Sequence, residues 1–196
     1  PSNAAMVLRN CDAFGVCEVL YVVSSSGRTV LSEASLRRVS SSANLWVPTK
    51  TFLSLEECVK YLRGKQYRLI VTSPHPPSAE LHDGSGWARK SPRIAILFGN
   101  ESRGVSEEAL RLADERLRID AHGMVESLNL AVSSGVVLAE ATRQRRATTI
   151  QNAAADEEEM TTACAKVVET SCWEPQFGLD SKEQESTLAA LMNIQA

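Results

Sequence analysis

The chain has 196 residues, which suits one medium-sized domain with an appendage, and its 43% hydrophobic content is enough to build a substantial core. No apolar run is as long as a membrane span, so we expect no membrane partner and a cytoplasmic location, with the nucleus or an organelle left open. The five cysteines include no C-x-x-C pair and the three histidines show no metal-ligand spacing, so we expect reduced thiols and no metal site.

The net charge of −3 conceals an asymmetry along the chain. Residues 1–150 carry 19 Lys and Arg against 15 Asp and Glu, whereas residues 151–196 carry 2 against 9. We therefore predict a mildly basic folded domain over 1–150, able to contact phosphates, and an acidic C-terminal extension over 151–196 that is partly helical or disordered. The chain starts without Met and inside a motif, so we expect part of the N-terminal region to be missing.

Helical and extended patterns alternate in the first half of the chain. A helix over 3–14 ends at Gly15, and residues 32–39 fit a short helix and a solvated loop equally well. The next helix, over 54–62, has Ser54 as its N-cap. The predicted strands are 16–23, 46–52 and 67–72, and a long Pro/Gly-containing loop follows over 73–92.

The second half continues this alternation. The apolar run 94–98 is typical of a strand that is buried on both faces of a parallel sheet. A helix over 107–113, capped by Ser106, then precedes a strand over 116–119. Residues 130–139 are apolar nearly all round, which predicts a helix buried on most of its faces. We expect this helix to end in the basic cluster 143–146, with a linker or frayed helix over 147–163 and a weak helix over 183–194.

The alternating elements predict a three-layer α/β domain with a parallel sheet. Ligands of such sheets lie beyond the carboxyl ends of the strands, where Thr72, Gly99 and Ile119 fall. The small residues of the 130–139 helix, including Ser134 and Gly135, allow another backbone to approach closely. Polar residues stand at the head of this helix, where unpaired backbone N–H groups and the positive end of the helix dipole attract ligands; they are Glu126, Ser127 and Asn129.

Three stretches, in order along the chain, resemble the signature motifs of the SpoU/TrmH branch of SPOUT RNA methyltransferases. They are PSNAAMVLRNCDAFGV at 1–16, GNESRGVS at 99–106, and I-x-x-x-G-M-V-E-S-L-N-L-A-V from 119. The resemblance implies a three-layer α/β/α domain with a C-terminal trefoil knot. It also implies a homodimer that uses S-adenosylmethionine to methylate a ribose 2′-hydroxyl of tRNA or rRNA.

The resemblance also implies catalytic roles for residues of the three motifs. The arginine matching Arg9 is assigned to the catalytic step on the ribose, sometimes as general base. Arginine is a poor base, so we favour phosphate binding and stabilisation of the developing alkoxide. Asn3 orients Arg9 or only caps its helix, and Ser127 is a site residue or an N-cap. The predicted catalytic set is Arg9, Asn3, Glu101, Ser127 and Asn129.

Cofactor and RNA contacts follow from the same resemblance. Main-chain groups at Gly99, Ile119 and Leu128 are expected to hold the cofactor, with Thr72 a weaker candidate; plain core packing is the alternative for Ile119 and Leu128. Arg103, where the family often has a small residue, is a predicted RNA contact. Arg143 and Arg145 contact RNA phosphate or the dimer partner, or simply favour the C-terminus of their helix. A non-catalytic RNA-binding protein with the same fold is the competing function.

Overall fold

A mostly parallel sheet forms the centre of the computed structural model, which describes residues 3–22, 43–100, 104–153, 166–170 and 188–192. Within these ranges we find no helix with the length and apolar character that crossing a bilayer requires. The elements are α1 (Asn3–Ala13), β1 (Val19–Val22), α2 (Ala43–Trp46), β2 (Thr49–Phe52), α3 (Leu55–Gly64), β3 (Arg68–Thr72), β4 (Ala79–Glu80), the 3-10 helix η1 (Trp87–Arg89), β5 (Ile94–Phe98), α4 (Glu107–Leu112), β6 (Glu115–Arg118), α5 (Leu130–Ala153), β7 (Lys166–Thr170) and β8 (Leu188–Met192).

The sheet has the strand order β2-β1-β7-β8-β5-β3-β6-β4, with β7 also paired to β5 and β8 also paired to β1. The pairs β1–β2, β1–β7, β3–β5, β3–β6, β4–β6 and β5–β7 are all parallel, and β8 is antiparallel to its neighbours. All five residues of β5 are buried, so this part of the sheet is covered on both faces, as the apolar run predicted. The predicted parallel α/β fold is confirmed.

Three element predictions were wrong. Residues 43–46 form α2, so the strand predicted from Trp46 begins only at Thr49. Residues 188–192 form β8 within the weak helix predicted over 183–194, because pairing with β7 and β5 outweighs the helical preference of Leu, Ala and Met. Helix α5 continues to Ala153 instead of ending at the basic cluster, since no Gly or Pro interrupts the residues that follow. The segment 32–39 lies outside the described residues.

The predicted caps place the helices correctly. Gly15, with φ of 69°, ends α1: its amide donates to the Asp12 carbonyl at 3.2 Å, and the Val16 amide donates to the Cys11 carbonyl at 2.8 Å. Ser54 accepts a bond from the Glu57 amide at 3.2 Å, and Ser106 accepts one from the Ala109 amide at 3.1 Å. These local bonds explain why the starts of α3 and α4 and the end of α1 were predictable.

Helices α1 and α5 run from the carboxyl edge of the sheet towards its amino edge. Only a short connection separates the end of α1 from β1, so α1 packs antiparallel to that strand and its first residue lies near the carboxyl edge. Near the other end of α5, the Arg145 guanidinium donates to the carbonyls of Ser91 and Pro92, at 3.0 and 3.1 Å, just before β5 begins. The path from Asn129 to Arg145 covers about 24 Å of helix.

The second half of α5 fixes the loop over 73–92 in place. The Gln144 side chain accepts a hydrogen bond from the Ala88 amide at 3.0 Å. Oε2 of Glu140 lies 3.6 Å from Nδ1 of His82. Glu140 is itself buried and accepts hydrogen bonds from Arg143 and Gln144 at 2.7 to 2.9 Å. The Arg143 guanidinium, aided by the Gln144 amide, lowers the pKa of Glu140 to about 2.

Helix α5 is buried over most of its circumference between residues 130 and 139, as predicted, because only two of these residues are exposed. Ala131, Ser134 and Leu138 are buried, whereas Val132 is 49% exposed and Ala139 is exposed. Val132 and Ala139 are both apolar, and their spacing of seven residues places them on the same face of the helix. An apolar stripe of α5 therefore remains uncovered within the described part of one chain.

We predict that Glu140→Gln makes the protein less stable at neutral pH and that this difference becomes smaller in acid. The folded-state pKa of Glu140 is lowered, so its contribution is present above the unfolded value near 4.5 and is lost as the pH falls towards about 2. At pH 7 the free energy of unfolding should fall by about 1–3 kcal/mol, the range for hydrogen bonds to a charged group. Urea unfolding of both proteins at pH 7 and pH 3 measures the effect.

Glu126→Gln, which changes an exposed carboxylate, serves as the control and should match the wild type at both pH values. An equal loss of stability for Glu140→Gln at pH 7 and pH 3 would contradict the role given to this carboxylate.

Candidate functional site

Two of the three motifs meet where α1 packs against the head of α5. The Asn129 side-chain amide donates to Oδ1 of Asn3 at 3.1 Å, although the two residues are 126 positions apart in sequence. Further along the same helix pair, Nδ2 of Asn10 donates to the Ala131 carbonyl at 2.7 Å and to Oγ of Ser134 at 2.9 Å. The structure thus joins residues of the first and third motifs by direct hydrogen bonds.

Asn129 is also the N-cap of α5. Its Oδ1 accepts hydrogen bonds from the amides of Ala131 and Val132, at 2.9 and 3.4 Å, because the helix begins directly after it. The N-cap role considered for Ser127 was therefore wrong. Asn129 uses its oxygen for the helix and its nitrogen for Asn3, so one side chain both starts α5 and attaches it to α1.

Arg9 lies on the exposed surface of α1, one position before the partly buried Asn10. Within the described residues, its guanidinium makes no hydrogen bond or ion pair. An exposed guanidinium that no protein group uses can bind a phosphate or an anionic oxygen. The structure thus places Arg9 on the helix whose first residue contacts Asn129.

Thr72 is the last residue of β3, and Gly99 and Ile119 directly follow β5 and β6, so all three lie where neighbouring parallel strands end, as predicted. The Thr72 hydroxyl donates to the Leu97 carbonyl at 3.1 Å, and the Ser73 amide donates to the Leu117 carbonyl at 2.8 Å. Thr72 thus uses its hydroxyl to fasten β3 to β5. Strands β1 and β5 both pair with β7, so these two strands lie about 10 Å apart in the sheet.

The loop after β5 folds back tightly over Gly99. The Asn100 amide donates to the Gly104 carbonyl at 3.0 Å, and the Gly104 amide donates to the Asn100 carbonyl at 2.9 Å. A Cβ at Gly99 would lie 2.2 Å from the carbonyl carbon of Gly104 and 2.4 Å from the Val105 nitrogen. Glycine is required here by the loop's own backbone. Glu101 and Arg103 lie outside the described residues.

The residues from Ala121 to Asn129 are all exposed and carry the predicted Ser127 and Leu128. The Met124 side chain is 100% exposed, and Leu128 is 41% exposed. Ile119 is half-buried and packs against the core. Accessible main chain beside apolar side chains, at the carboxyl edge of a parallel sheet, fits a nucleoside cofactor that needs apolar walls and backbone partners.

The two predicted RNA contacts on α5 differ in their surroundings. The Arg143 side chain is 68% exposed, although it pairs with Glu140. Arg145 is only 8% exposed and donates to the loop carbonyls described above. Arg145 therefore helps to hold the loop over 73–92 in place. Because α5 continues to Ala153, neither Arg143 nor Arg145 lies at the C-terminus of the helix.

A surface cavity of about 560 Å³ lies elsewhere, beside the start of β6 and away from Ile119. Its acidic residues are already paired, Asp114 with Arg63 and Glu115 with Arg68 and Lys90. Because it contains none of the motif residues, we assign it no part in the site.

Sequence reasoning missed Asn10. Its side chain makes two hydrogen bonds that connect α1 to α5. A signal was present in the small residues Ala131, Ser134 and Gly135, which predicted a close backbone approach without saying which helix would come near.

Fold and site together define an α/β protein of the parallel-sheet class whose polar groups gather beyond the carboxyl ends of its strands, against the head of one long helix. The sequence profile described as the SpoU rRNA Methylase family matches residues 1–139. The chain belongs to this family.

Individual relatives agree with that assignment. The chain is 34% identical over 145 residues to the tRNA (guanosine(18)-2′-O)-methyltransferase of Thermus thermophilus, a match covering 74% of this chain and 70% of the relative. It is 32% identical over 146 residues to the 23S rRNA (guanosine-2′-O-)-methyltransferase RlmB of Bordetella pertussis, covering 74% of this chain but only 56% of the relative.

Among solved structures, the fold matches the SpoU methyltransferase AviRb from Streptomyces viridochromogenes, solved in complex with the cofactor AdoMet. The TM-score is 0.63 at 25% sequence identity, and the match covers 74% of this chain and 56% of that one. The relatives therefore extend beyond the region that they share with this chain.

We predict that Gly99→Ala opens the loop between Asn100 and Gly104. The added methyl group meets backbone atoms that cannot rotate away, so the free energy of unfolding should fall by about 1–3 kcal/mol, as for other overpacked sites. Hydrogen exchange of the Asn100 and Gly104 amides, which bond to each other's carbonyls, should quicken. Gly64→Ala is the matched control, because a Cβ there meets no atom within 4 Å. Unchanged exchange in Gly99→Ala would contradict the packing described.

Proposed function

We propose that this protein is an S-adenosylmethionine-dependent methyltransferase that acts on a ribose 2′-hydroxyl of structured RNA, with tRNA the preferred substrate class. The observation that carries the proposal is the contact between α1 and the head of α5. Asn3, on the helix that bears Arg9, accepts a hydrogen bond there from Asn129. Family membership supports the reaction type. The identity to the Thermus tRNA enzyme supports tRNA over rRNA, for which the Bordetella relative is the precedent.

The cofactor is proposed to lie at the carboxyl edge of the sheet. Backbone groups at Gly99, Ile119 and Leu128 would hold it, with Thr72 acting indirectly by fastening β3 to β5. S-adenosylmethionine supplies an electrophilic methyl group on a sulfonium. The task of the chain is to hold this donor and the sugar hydroxyl in line, at contact distance.

Arg9 is proposed to bind the phosphate next to the target ribose and to stabilise the alkoxide that develops on its 2′-oxygen. A guanidinium offers several N–H donors in one plane and keeps its positive charge, which suits electrostatic stabilisation better than proton removal. Asn3 and Asn129 are proposed to hold the starts of α1 and α5 together through their hydrogen bond. Ser127 and Glu101 are proposed to contact the substrate or Arg9. Arg103 and Arg143 are proposed to contact RNA.

Arg145 is a weaker candidate for RNA contact, because its guanidinium is buried and donates to two carbonyls. A phosphate would have to displace these bonds to reach it. We therefore propose that Arg145 supports RNA binding only by holding the loop over 73–92.

We predict that Arg9→Ala abolishes methyl transfer and leaves the affinity for S-adenosylmethionine nearly unchanged, because Arg9 serves the RNA and the developing charge. Calorimetry measures cofactor binding, and transfer of a labelled methyl group to total tRNA measures activity. Arg9→Lys should retain slight activity, since it keeps the charge but not the planar group of donors. Full activity of Arg9→Ala would remove the proposed role.

The same measurements distinguish the competing function, a non-catalytic RNA-binding protein. If the wild-type protein binds tRNA and cofactor but transfers no methyl group to tRNA or rRNA, the enzymatic proposal is wrong. Mapping the labelled nucleotide in tRNA and in rRNA then identifies the substrate of an active protein.

We further propose a homodimer and a three-layer domain whose C-terminal region forms a trefoil knot. The uncovered apolar stripe of α5 supports the dimer, since Val132 and the nearby Leu128 and Met124 are exposed in one chain. A second copy is the partner that the family resemblance implies.

We predict that sedimentation equilibrium gives twice the mass of one chain, and that Val132→Glu shifts the protein to monomers by burying a charge in the interface. Lys60→Glu, on the exposed side of α3, is the control and should stay dimeric. A monomeric wild-type protein at high concentration would refute the dimer.

A further inference from the structure

The side chain of Asn10 makes a specific polar link between α1 and α5. Its Nδ2 donates to the Ala131 carbonyl at 2.7 Å and to Oγ of Ser134 at 2.9 Å, so both amide hydrogens have an acceptor on the other helix. The Ser134 hydroxyl in turn donates to the Ala131 carbonyl at 2.8 Å, and Ser134 is completely buried. These contacts form a closed group of two polar side chains and one backbone carbonyl between the two helices.

This group defines how far α1 can slide along α5. Apolar side chains pack almost equally well in several registers, whereas an asparagine amide must meet particular acceptors or lose its hydrogen bonds. Close packing adds a second constraint, since a Cβ at Gly135 would lie 3.3 Å from the Asn10 nitrogen. The observed register is thus the one that satisfies both the hydrogen bonds and the space available.

The register matters because residues on both sides of the contact belong to the proposed site. Arg9 immediately precedes Asn10 on α1, and Asn129 lies two positions before Ala131 at the start of α5. A slide of one residue along a helix moves a side chain by about 1.5 Å, and a displacement of about 1 Å at a reacting centre can cost a hundredfold in rate.

We propose that Asn10 is a positioning residue for methyl transfer: by fixing the register of α1 on α5, it holds the Arg9 guanidinium at the distance the reaction needs. This inference rests on the proposed function. It assigns Asn10 no contact with the substrate or the cofactor.

The first test compares Asn10→Ala with the wild type. We expect kcat to fall about 10- to 100-fold, while the KM for tRNA and the Kd for S-adenosylmethionine stay unchanged, because the binding surfaces remain and only the placement of Arg9 suffers. Ser134→Ala, which removes one of the two acceptors and leaves Asn10 intact, should lower kcat in the same sense but less. Asp12→Ala, an exposed change on the same helix, is the control and should keep the wild-type kcat.

The second test asks whether Asn10 acts through Arg9. In an Arg9→Lys background, which retains slight activity, adding Asn10→Ala should cause little further loss, because the group that Asn10 positions is already gone. A merely structural role would instead lower the activity of both backgrounds by the same factor. Melting temperatures of all variants, measured beside the kinetics, identify any variant that fails to fold; Ser134→Ala then takes the place of Asn10→Ala in both comparisons.

The outcomes separate the two proposals. An inactive wild-type protein overturns the proposed function and this inference together. An active wild type with an unchanged kcat in Asn10→Ala, or equal factors of loss in the two backgrounds, overturns only the positioning role of Asn10.

Discussion

The close packing of α1 against α5 is the constraint on which the rest of the site depends. Two helices can approach so closely only where one of them carries small side chains, and α5 supplies Ala131, Ser134 and Gly135 at this point. Apolar contact alone would leave the relative position of the helices free to slide. The hydrogen bonds of Asn10 and the pair Asn3–Asn129 remove that freedom, so polar bonds with modest net stability determine where the functional groups stand.

The two halves of α5 perform different tasks because the helix is longer than the strands of the sheet, so it extends from the carboxyl edge past the amino edge. Its head lies at the carboxyl edge, where a capping asparagine both starts the helix and contacts α1. Its second half lies towards the amino edge, where Gln144 and Arg145 hold the long loop through its backbone. This division explains why two arginines of one basic cluster differ in solvent exposure: Arg143 is exposed and Arg145 is buried.

The site also depends on a loop that is closed by backbone hydrogen bonds. Strand β5 is buried on both faces and leads directly into Gly99, over which the chain folds back at once. Gly99 is needed because the backbone of Gly104 and Val105 packs directly against it, and this requirement is independent of any contact with a ligand. Beyond residue 153, β7 and β8 add to the same sheet, so the acidic extension contributes strands to the domain whose charge it offsets.

The sequence by itself determined whatever local bonds decide. The end of α1 followed from Gly15, and the starts of α3 and α4 followed from Ser54 and Ser106. Strand β5 followed from its unbroken apolar run. In each case the sequence signal consists of only a few consecutive residues. The motifs likewise identified the family. Tertiary structure alone decided that residues 188–192 form a strand, that Arg145 is buried and that Asn10 meets Ala131 and Ser134. Each of these depends on a partner distant in sequence, and a helical or polar residue has no local signal that tells which partner it will meet.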